Sequence, residues 1–260
     1  MQVASLPFTS NVPLGAKSKL ATAQVTIHAP DGKVLSQNSE ALSVYADRIA
    51  RKVRFTADND VLAERLVALG HTQSSLADVT HDLDATTVEA IHAGRHVLQI
   101  VDKAAGRPRD DTPARDGPMT VQIEDAKGGF ASGPYFTFPG YQLSKRHKSI
   151  WRGDWVGNFS WLRRDGVFSH LPGKPMFDLS FSRVVPTHVM SGFRPWEFQG
   201  QVHAGVVVDW VHKPAAFVIE KRLGTGKLVA STFRLMQGAS DADPVATALW
   251  DGLLELSGRA

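Results

Sequence analysis

Serine, histidine and aspartate residues of this sequence could together form a hydrolase centre. Such a centre needs a nucleophile, a base that removes its proton and a carboxylate that orients the base. Three serines lie among loop-forming residues, namely Ser132, Ser160 and Ser191. The base would be one of His188, His203 and His212, and the orienting carboxylate Asp102 or Asp209. No Gly-x-Ser-x-Gly motif marks the nucleophile. We take Ser160, His203 and Asp209 as the catalytic candidates, against the alternative that each serine only bonds local backbone.

The segment Trp151–Gly166 concentrates tryptophans, aspartates and arginines and is the richest candidate for a binding surface. Apolar faces of sugar rings pack on aromatic side chains, so the segment is typical of a saccharide site as well as of an aromatic core. The side chains that we expect to bind a ligand are Asp154, Trp155, Asn158, Trp161, Arg163, His188, Trp196 and His212. The alternative is that the tryptophans fill the layer between a sheet and a hairpin.

Other motifs favour structural interpretations. Gly224-x-Gly226-Lys227 is part of a phosphate-loop pattern, but the full motif is absent and a hairpin turn explains it better. The histidines include no His-Glu-x-x-His pair. A glycosidase would need two carboxylates about 5–10 Å apart. Spacing does not show whether Glu197 meets Asp154 or Asp165. We therefore expect neither a metal nor a cofactor.

The overall composition excludes several classes of function. Lys and Arg number 29 and Asp and Glu 26, which is too balanced a charge to favour nucleic-acid binding. The sequence contains no cysteine, so disulfides, thiolate nucleophiles and cysteine metal sites are absent. No run approaches the roughly 18 apolar residues of a membrane span, and the first residues lack the features of a signal peptide. We predict a soluble protein that does not bind membranes, in a compartment that the sequence leaves open.

The elements that must position these candidates begin with a β-hairpin. Small and apolar residues alternate with polar ones from Lys19 to His28, Pro30-Asp31-Gly32 is a turn signal, and a second extended stretch runs from Val34 to Tyr45. We assign residues 1–47 to this hairpin. An exposed hairpin edge could pair with a second chain, which predicts a homodimer.

Residues 48–260 have the pattern of an α/β domain. Strands are expected at Val53–Thr56, around Leu76–Val79 and at His96–Val101. Between them, one helix with Asn59 as N-cap carries leucines four and three residues apart and ends at Gly70, and another follows Asp84 and ends at Gly94. Strands that alternate with helices at this spacing predict a parallel sheet with crossover helices.

The remainder divides into an irregular middle and a regular end. Residues 103–118 are expected to form an exposed loop at the carboxyl end of a strand, where open α/β sheets bind ligands. Residues 119–204 are expected to be irregular and aromatic-rich. Strands at Gly205–Val211, Ala215–Lys221 and Leu228–Phe233 follow, with a tight turn at Leu223–Lys227. Asp243-Pro244 then starts an amphipathic helix.

Several stretches resemble the C-terminal region of bacterial proteins of glycoside hydrolase family 2, the β-galactosidase-like group. They are Trp151–Gly173, Val202–Gly205, Trp210–Ala215 and Gly226–Leu235. The resemblance is diffuse and extends over residues 20–257. It implies an immunoglobulin-like sandwich leading into a domain similar to class I glutamine amidotransferases. The expected fold is therefore a flavodoxin-like doubly wound sheet, with residues 1–47 as the end of a sandwich packed on it.

The resemblance implies no activity for the residues present. That family's catalytic glutamates lie in a (β/α)₈ barrel, which needs about 250 residues of its own, and amidotransferase chemistry needs a cysteine that this sequence lacks. The first functional hypothesis is thus a non-catalytic accessory domain of a carbohydrate-active protein, in contact with a saccharide. The second is a stand-alone serine carboxylesterase that acts on small esters.

Overall fold

A computed structural model describes residues 18–45, 54–57, 60–81, 83, 85–101, 142–145, 158–191, 200–208, 213–236 and 243–258. The chain divides into two compact units. One consists of Met1–Ile49 with His170–Gly173, and the other of Ala50–Ser169 with Lys174–Ala260. Within the described residues, no helix is both long enough and apolar enough to cross a membrane.

The first unit contains the predicted hairpin. Strands β1 (Lys19–His28) and β2 (Val34–Val44) pair antiparallel, with Lys19 opposite Val44. Gly32 takes a positive φ of 85° at the turn, a conformation that costs glycine little. The Asp31 carboxylate accepts a hydrogen bond of 3.0 Å from the Lys33 N–H. The prediction of a hairpin closed by Pro-Asp-Gly is confirmed.

Among the described residues, the second unit contains a sheet of nine strands, three α-helices and two short 3-10 helices, Gly166–Phe168 and Leu179–Phe181. The strands are β3 (Arg54–Ala57), β4 (Thr72–Thr80), β5 (His96–Ile100), β6 (Gln142–Lys145), β7 (Asn158–Leu162), β8 (His188–Ser191), β9 (Val202–Val208), β10 (Lys213–Leu223) and β11 (Gly226–Ser231). The α-helices are α1 (Asp60–Ala68), α2 (Ala85–His92) and α3 (Pro244–Gly258).

The sheet has a parallel half and an antiparallel half. β3, β4, β5 and β11 are parallel neighbours in that order. β10 pairs antiparallel with β11, and on its other edge with β8 and β9; β6 then pairs with β8, and β7 with β9. The predicted parallel strands with crossover helices are confirmed, and the unit is a mixed α/β fold.

The helices form where the sequence patterns predict them. Leu62 and Leu66 of α1 are fully buried, and Gly70 after its end has a φ of 85°. The Asp243 carboxylate caps α3, because its Oδ1 accepts hydrogen bonds from the N–H groups of Val245 and Ala246 at 2.9 and 3.1 Å. The predicted caps Asn59 and Asp84 of the other two helices lie outside the described residues.

Helices cover both faces of the sheet. Leu228 belongs to a buried cluster with Val88 and Ile91 of α2. The adjacent Lys227 donates a hydrogen bond to the Leu256 carbonyl of α3. Because successive side chains of a strand point to opposite faces, α2 and α3 lie on opposite sides of β11.

The expectation that residues 119–204 are irregular is right for residues 163–187, which form turns and two short 3-10 helices, and wrong for the strands of the 119–204 range. Within that range the structure describes β6, β7, β8 and the first residues of β9, all of them hydrogen-bonded into the sheet. The three strands that precede β9 in the chain are only four or five residues long. They lie among Gly, Pro and Asp residues that signal turns. Pairing with neighbouring strands stabilises them, and local composition does not show that pairing. The predicted loop 103–118 lies outside the described residues.

Candidate functional site

A pocket of about 500 Å³ opens beside the hairpin formed by β10 and β11. It is bounded by the ends of these strands, by His203 of β9, by the segment after β7 and by the carboxyl end of α3. The charged and titratable side chains that line it are His96, Arg163, Asp165, His203, Glu220, Arg222 and Lys227. We call this cavity the β10–β11 pocket.

A three-residue network crosses the pocket. His203 Nε2 lies 3.0 Å from Glu220 Oε2, and Lys227 Nζ lies 3.5 Å from Glu220 Oε1. The hydrogen bond from His203 holds the pKa of the Glu220 carboxyl below its ordinary value. Burial opposes this effect, while the Lys227 ammonium adds to it. Glu220 is therefore an anion held between two donors at neutral pH.

The carboxyl end of α3 fixes the buried Lys227 side chain. Its Nζ donates a hydrogen bond of 2.6 Å to the Leu256 carbonyl. Carbonyls in the last turn of a helix lack partners within the helix, and the helix dipole favours a cation there. The Lys227 side chain is only 8% exposed. Its charge is thus satisfied by Glu220 and Leu256 together, as a buried cation requires.

A second ion pair lies just beyond the end of β7. Arg163 donates to both oxygens of Asp165, with Nε–Oδ1 and Nη2–Oδ2 distances of 3.2 and 2.8 Å. These hydrogen bonds lower the pKa of Asp165. The Asp165 side chain is 65% exposed, so the pair contributes little to stability. It orients a guanidinium and a carboxylate at the mouth of the pocket.

The turn between β10 and β11 packs closely on the end of α2. Thr225 donates to the His92 carbonyl from both its N–H and its hydroxyl, each at 3.2 Å. A Cβ at Gly226 would collide with the carbonyls of Ile91 and Arg95. The prediction that Leu223–Lys227 is a hairpin turn is confirmed by the antiparallel pair of Leu223 with Gly226.

The pocket lies at the amino ends of parallel strands. His96 is the first residue of β5, and Gly226 is the first residue of the parallel neighbour β11. Ligand crevices of open α/β sheets normally lie at the opposite, carboxyl ends. The loop expected at that end, residues 103–118, lies outside the described part of the chain.

The structure does not bring Ser160 and His203 together. Ser160 is opposite Val206 in the β7–β9 pair, while the His203 carbonyl accepts from the Arg163 N–H. The two residues are thus three positions apart along the strands, which is about 10 Å at about 3.3 Å per residue. That distance is too long for proton transfer from the serine to the imidazole. Asp209, the proposed orienting group, lies outside the described residues.

Of the predicted site residues, two line the β10–β11 pocket, two pack elsewhere in the sheet, and most of the others lie outside the described residues. Arg163 lines the β10–β11 pocket, as does His203. Trp161 is half-buried and packs on the cluster that contains Val202 and Ala216, and a Cβ at Gly205 would lie 3.2 Å from its ring. His188 is buried, with Nδ1 at 3.0 Å from the Thr187 hydroxyl. Asp154, Trp155, Trp196 and His212, together with the Asn158 side chain, lie outside what the structure describes.

Sequence reasoning missed most of the charged lining. Glu220, Arg222 and His96 were not candidates, and Lys227 was interpreted only as part of a turn. The available signal was a charged residue inside a buried apolar strand, since Glu220 follows five fully buried residues from Ala215 to Ile219. Lys227 is likewise a charge at the start of the buried strand β11. Charges in such positions need partners.

Comparison with known proteins adds no assignment. Within the described residues, no group of three or more His, Asp or Glu side chains is arranged to hold a metal ion. No protein-family model matches the chain, and no curated protein matches its sequence significantly.

Proposed function

We propose that this chain is a non-catalytic accessory domain of a carbohydrate-active protein, similar to the C-terminal region of glycoside hydrolase family 2 proteins, and that the β10–β11 pocket is its saccharide site. The observation that carries the proposal is the composition of this pocket. Most of its polar side chains are already engaged with one another, through Arg163–Asp165 and through His203, Glu220 and Lys227. Such a surface binds and orients a polar ligand.

The described lining of the pocket contains no serine. Among its lining residues, the one side-chain hydroxyl is that of Thr225, which donates to the His92 carbonyl. Within the described lining, no serine nucleophile therefore stands beside the His203 base, as an esterase would need. This composition favours binding over ester hydrolysis at this pocket.

Size and polarity support a saccharide as the ligand. Small-molecule sites usually measure about 300–1,000 Å³, and this pocket lies within that range. Carboxylates such as Glu220 and Asp165 accept hydrogen bonds from hydroxyl groups, and guanidinium groups donate to them. A ligand with many hydroxyls matches this lining better than an apolar ligand.

We also propose that the mixed α/β unit has a flavodoxin-like fold, of the kind found in class I glutamine amidotransferases. Four parallel strands in a row support it, as do α2 and α3 on opposite faces of the sheet. The chain has no cysteine, so such a domain would have no amidotransferase activity. The hairpin would then be the last part of a β-sandwich.

Three assays on the purified chain test the proposal. We expect no turnover of nitrophenyl esters or glycosides and no labelling by a fluorophosphonate probe. We also expect calorimetry with a panel of monosaccharides to show binding that Glu220→Gln weakens and that Glu89→Gln, an exposed change on α2, leaves unaltered. Ester turnover abolished by Ser160→Ala, with the fold intact, would favour the carboxylesterase instead.

A further inference from the structure

We infer that the β10–β11 pocket selects a sugar that carries a single oxyanion group, either a carboxylate or a phosphate, and that Arg222 binds this group. The inference rests on the proposed function, because it takes the pocket to be a saccharide site. It goes further by assigning a ligand class and the residue that recognises it.

Charge in the pocket is the first argument. Arg163, Arg222 and Lys227 are cations, whereas Asp165 and Glu220 are carboxylates. Arg163 is paired with Asp165, and Lys227 with Glu220. Within the part of the chain that the structure describes, the Arg222 side chain makes no hydrogen bond or ion pair. One positive charge is therefore left over, and it lines the cavity.

The register of the β10–β11 hairpin is the second argument. Arg222 lies directly opposite Lys227. Side chains directly opposite each other have Cβ atoms about 4.5–5.5 Å apart, and like charges there are destabilising. The ion pair of Lys227 with Glu220, at 3.5 Å, reduces this repulsion but does not remove it, and Glu220 leaves the Arg222 charge without a partner among the described residues. An anion bound at Arg222 would remove the remaining repulsion, which makes this position favourable for an oxyanion.

The remaining lining indicates why the ligand is a sugar and not a simple anion. Glu220 and Asp165 would repel a small inorganic anion that filled the pocket, but both accept hydrogen bonds from hydroxyl groups. A guanidinium binds carboxylate and phosphate groups in the same two-pronged geometry. The ligand that satisfies all of these side chains has one oxyanion and several hydroxyls.

Calorimetry on the full chain tests the inference with five probes: glucuronate, glucose 6-phosphate, glucose, acetate and inorganic phosphate. We expect at least one of the two acidic sugars to bind about tenfold more tightly than glucose, since the Arg222 guanidinium adds charge-assisted hydrogen bonds to its oxyanion. Acetate and phosphate should bind more weakly than the acidic sugars. Whichever acidic sugar binds more tightly identifies the oxyanion as carboxylate or phosphate.

Variants separate recognition of the oxyanion from recognition of the sugar. Arg222→Gln should weaken the acidic sugar about tenfold and leave glucose unchanged, while Arg183→Gln, an exposed arginine away from the pocket, should change neither. If glucose binds as tightly as the acidic sugars, or if Arg222→Gln has no effect, the inference is wrong and the saccharide site stands. If acetate or phosphate binds as tightly as the acidic sugars, the sugar class is wrong. If no sugar binds, both proposals fail.

Discussion

At the scale of single residues, His203 has a different partner from the one that sequence reasoning gave it. Its distance from Ser160 is too long for a nucleophile–base pair, and it bonds Glu220 of the neighbouring strand instead. The ring also lies edge-on to Phe168, at 6.4 Å between ring centroids. A histidine held between a carboxylate and a phenylalanine has a fixed orientation. This suits a residue that presents one face to a ligand.

The Glu220 network predicts a pH-dependent contribution to stability. The folded-state pKa of Glu220 is lowered from its ordinary 4.5. The network's contribution is therefore complete above the unfolded-state pKa and is lost as the pH falls through the folded-state pKa. We expect Glu220→Gln to lower the free energy of unfolding by about 1 kcal/mol at pH 7. The difference from the native chain should begin to shrink as the pH falls below about 4.5, the ordinary pKa of the carboxyl, and should vanish once the pH is below the folded-state pKa. Urea unfolding from pH 7 down to pH 3 measures both values.

Glu89→Gln is the matched control, because Glu89 is exposed on α2. It should leave the free energy of unfolding within a few tenths of a kcal/mol of the native value at pH 7, as surface substitutions usually do. A Glu220→Gln variant as stable as this control at pH 7 would show that the network does not stabilise the fold.

At the scale of elements, the contact between the β10–β11 turn and α2 positions the pocket. Gly226 lies against the carbonyls of Ile91 and Arg95, and both groups are backbone, so neither can rotate away. We expect Gly226→Ala to lower the free energy of unfolding by about 3 kcal/mol, the upper end of overpacking costs. Gly258→Ala at the end of α3, where a Cβ would meet nothing within 4 Å, should be close to neutral. Urea unfolding of the two variants makes the comparison, and equal stabilities would contradict the close packing.

The same elements show which features the sequence predicts and which it does not. Leu62 and Leu66, with Gly70 after them, predict α1 because helix periodicity is local, and Asp243-Pro244 predicts the cap of α3 for the same reason. The strand β7 is not predicted, since its pairing with β9 joins residues more than 40 positions apart. The pocket is missed for that reason as well. His96, Arg163, His203 and Lys227 come from separate segments that only the strand order brings together.

At the scale of the whole molecule, the hairpin differs from the α/β unit in its burial. Among the described residues, the buried hydrophobic side chains all lie between Phe55 and Leu256. The hairpin exposes large apolar side chains instead, including Val25, Ile27 and Leu35. A hairpin by itself is marginally stable in water. The homodimer through a hairpin edge remains a prediction. Light scattering of the full chain, which measures its molar mass in solution, checks it.

The burial pattern also predicts the result of a truncation. A chain that starts at residue 50 keeps every strand and helix of the second unit and all the side chains of the β10–β11 pocket. We expect it to unfold cooperatively in urea, with a free energy of unfolding within about 1 kcal/mol of the full chain, since stability comes mainly from buried apolar area. Binding of the acidic sugar should also be retained, because the described lining residues of the pocket all belong to the second unit. Loss of the cooperative transition on truncation would show instead that the hairpin and the sheet fold as one unit.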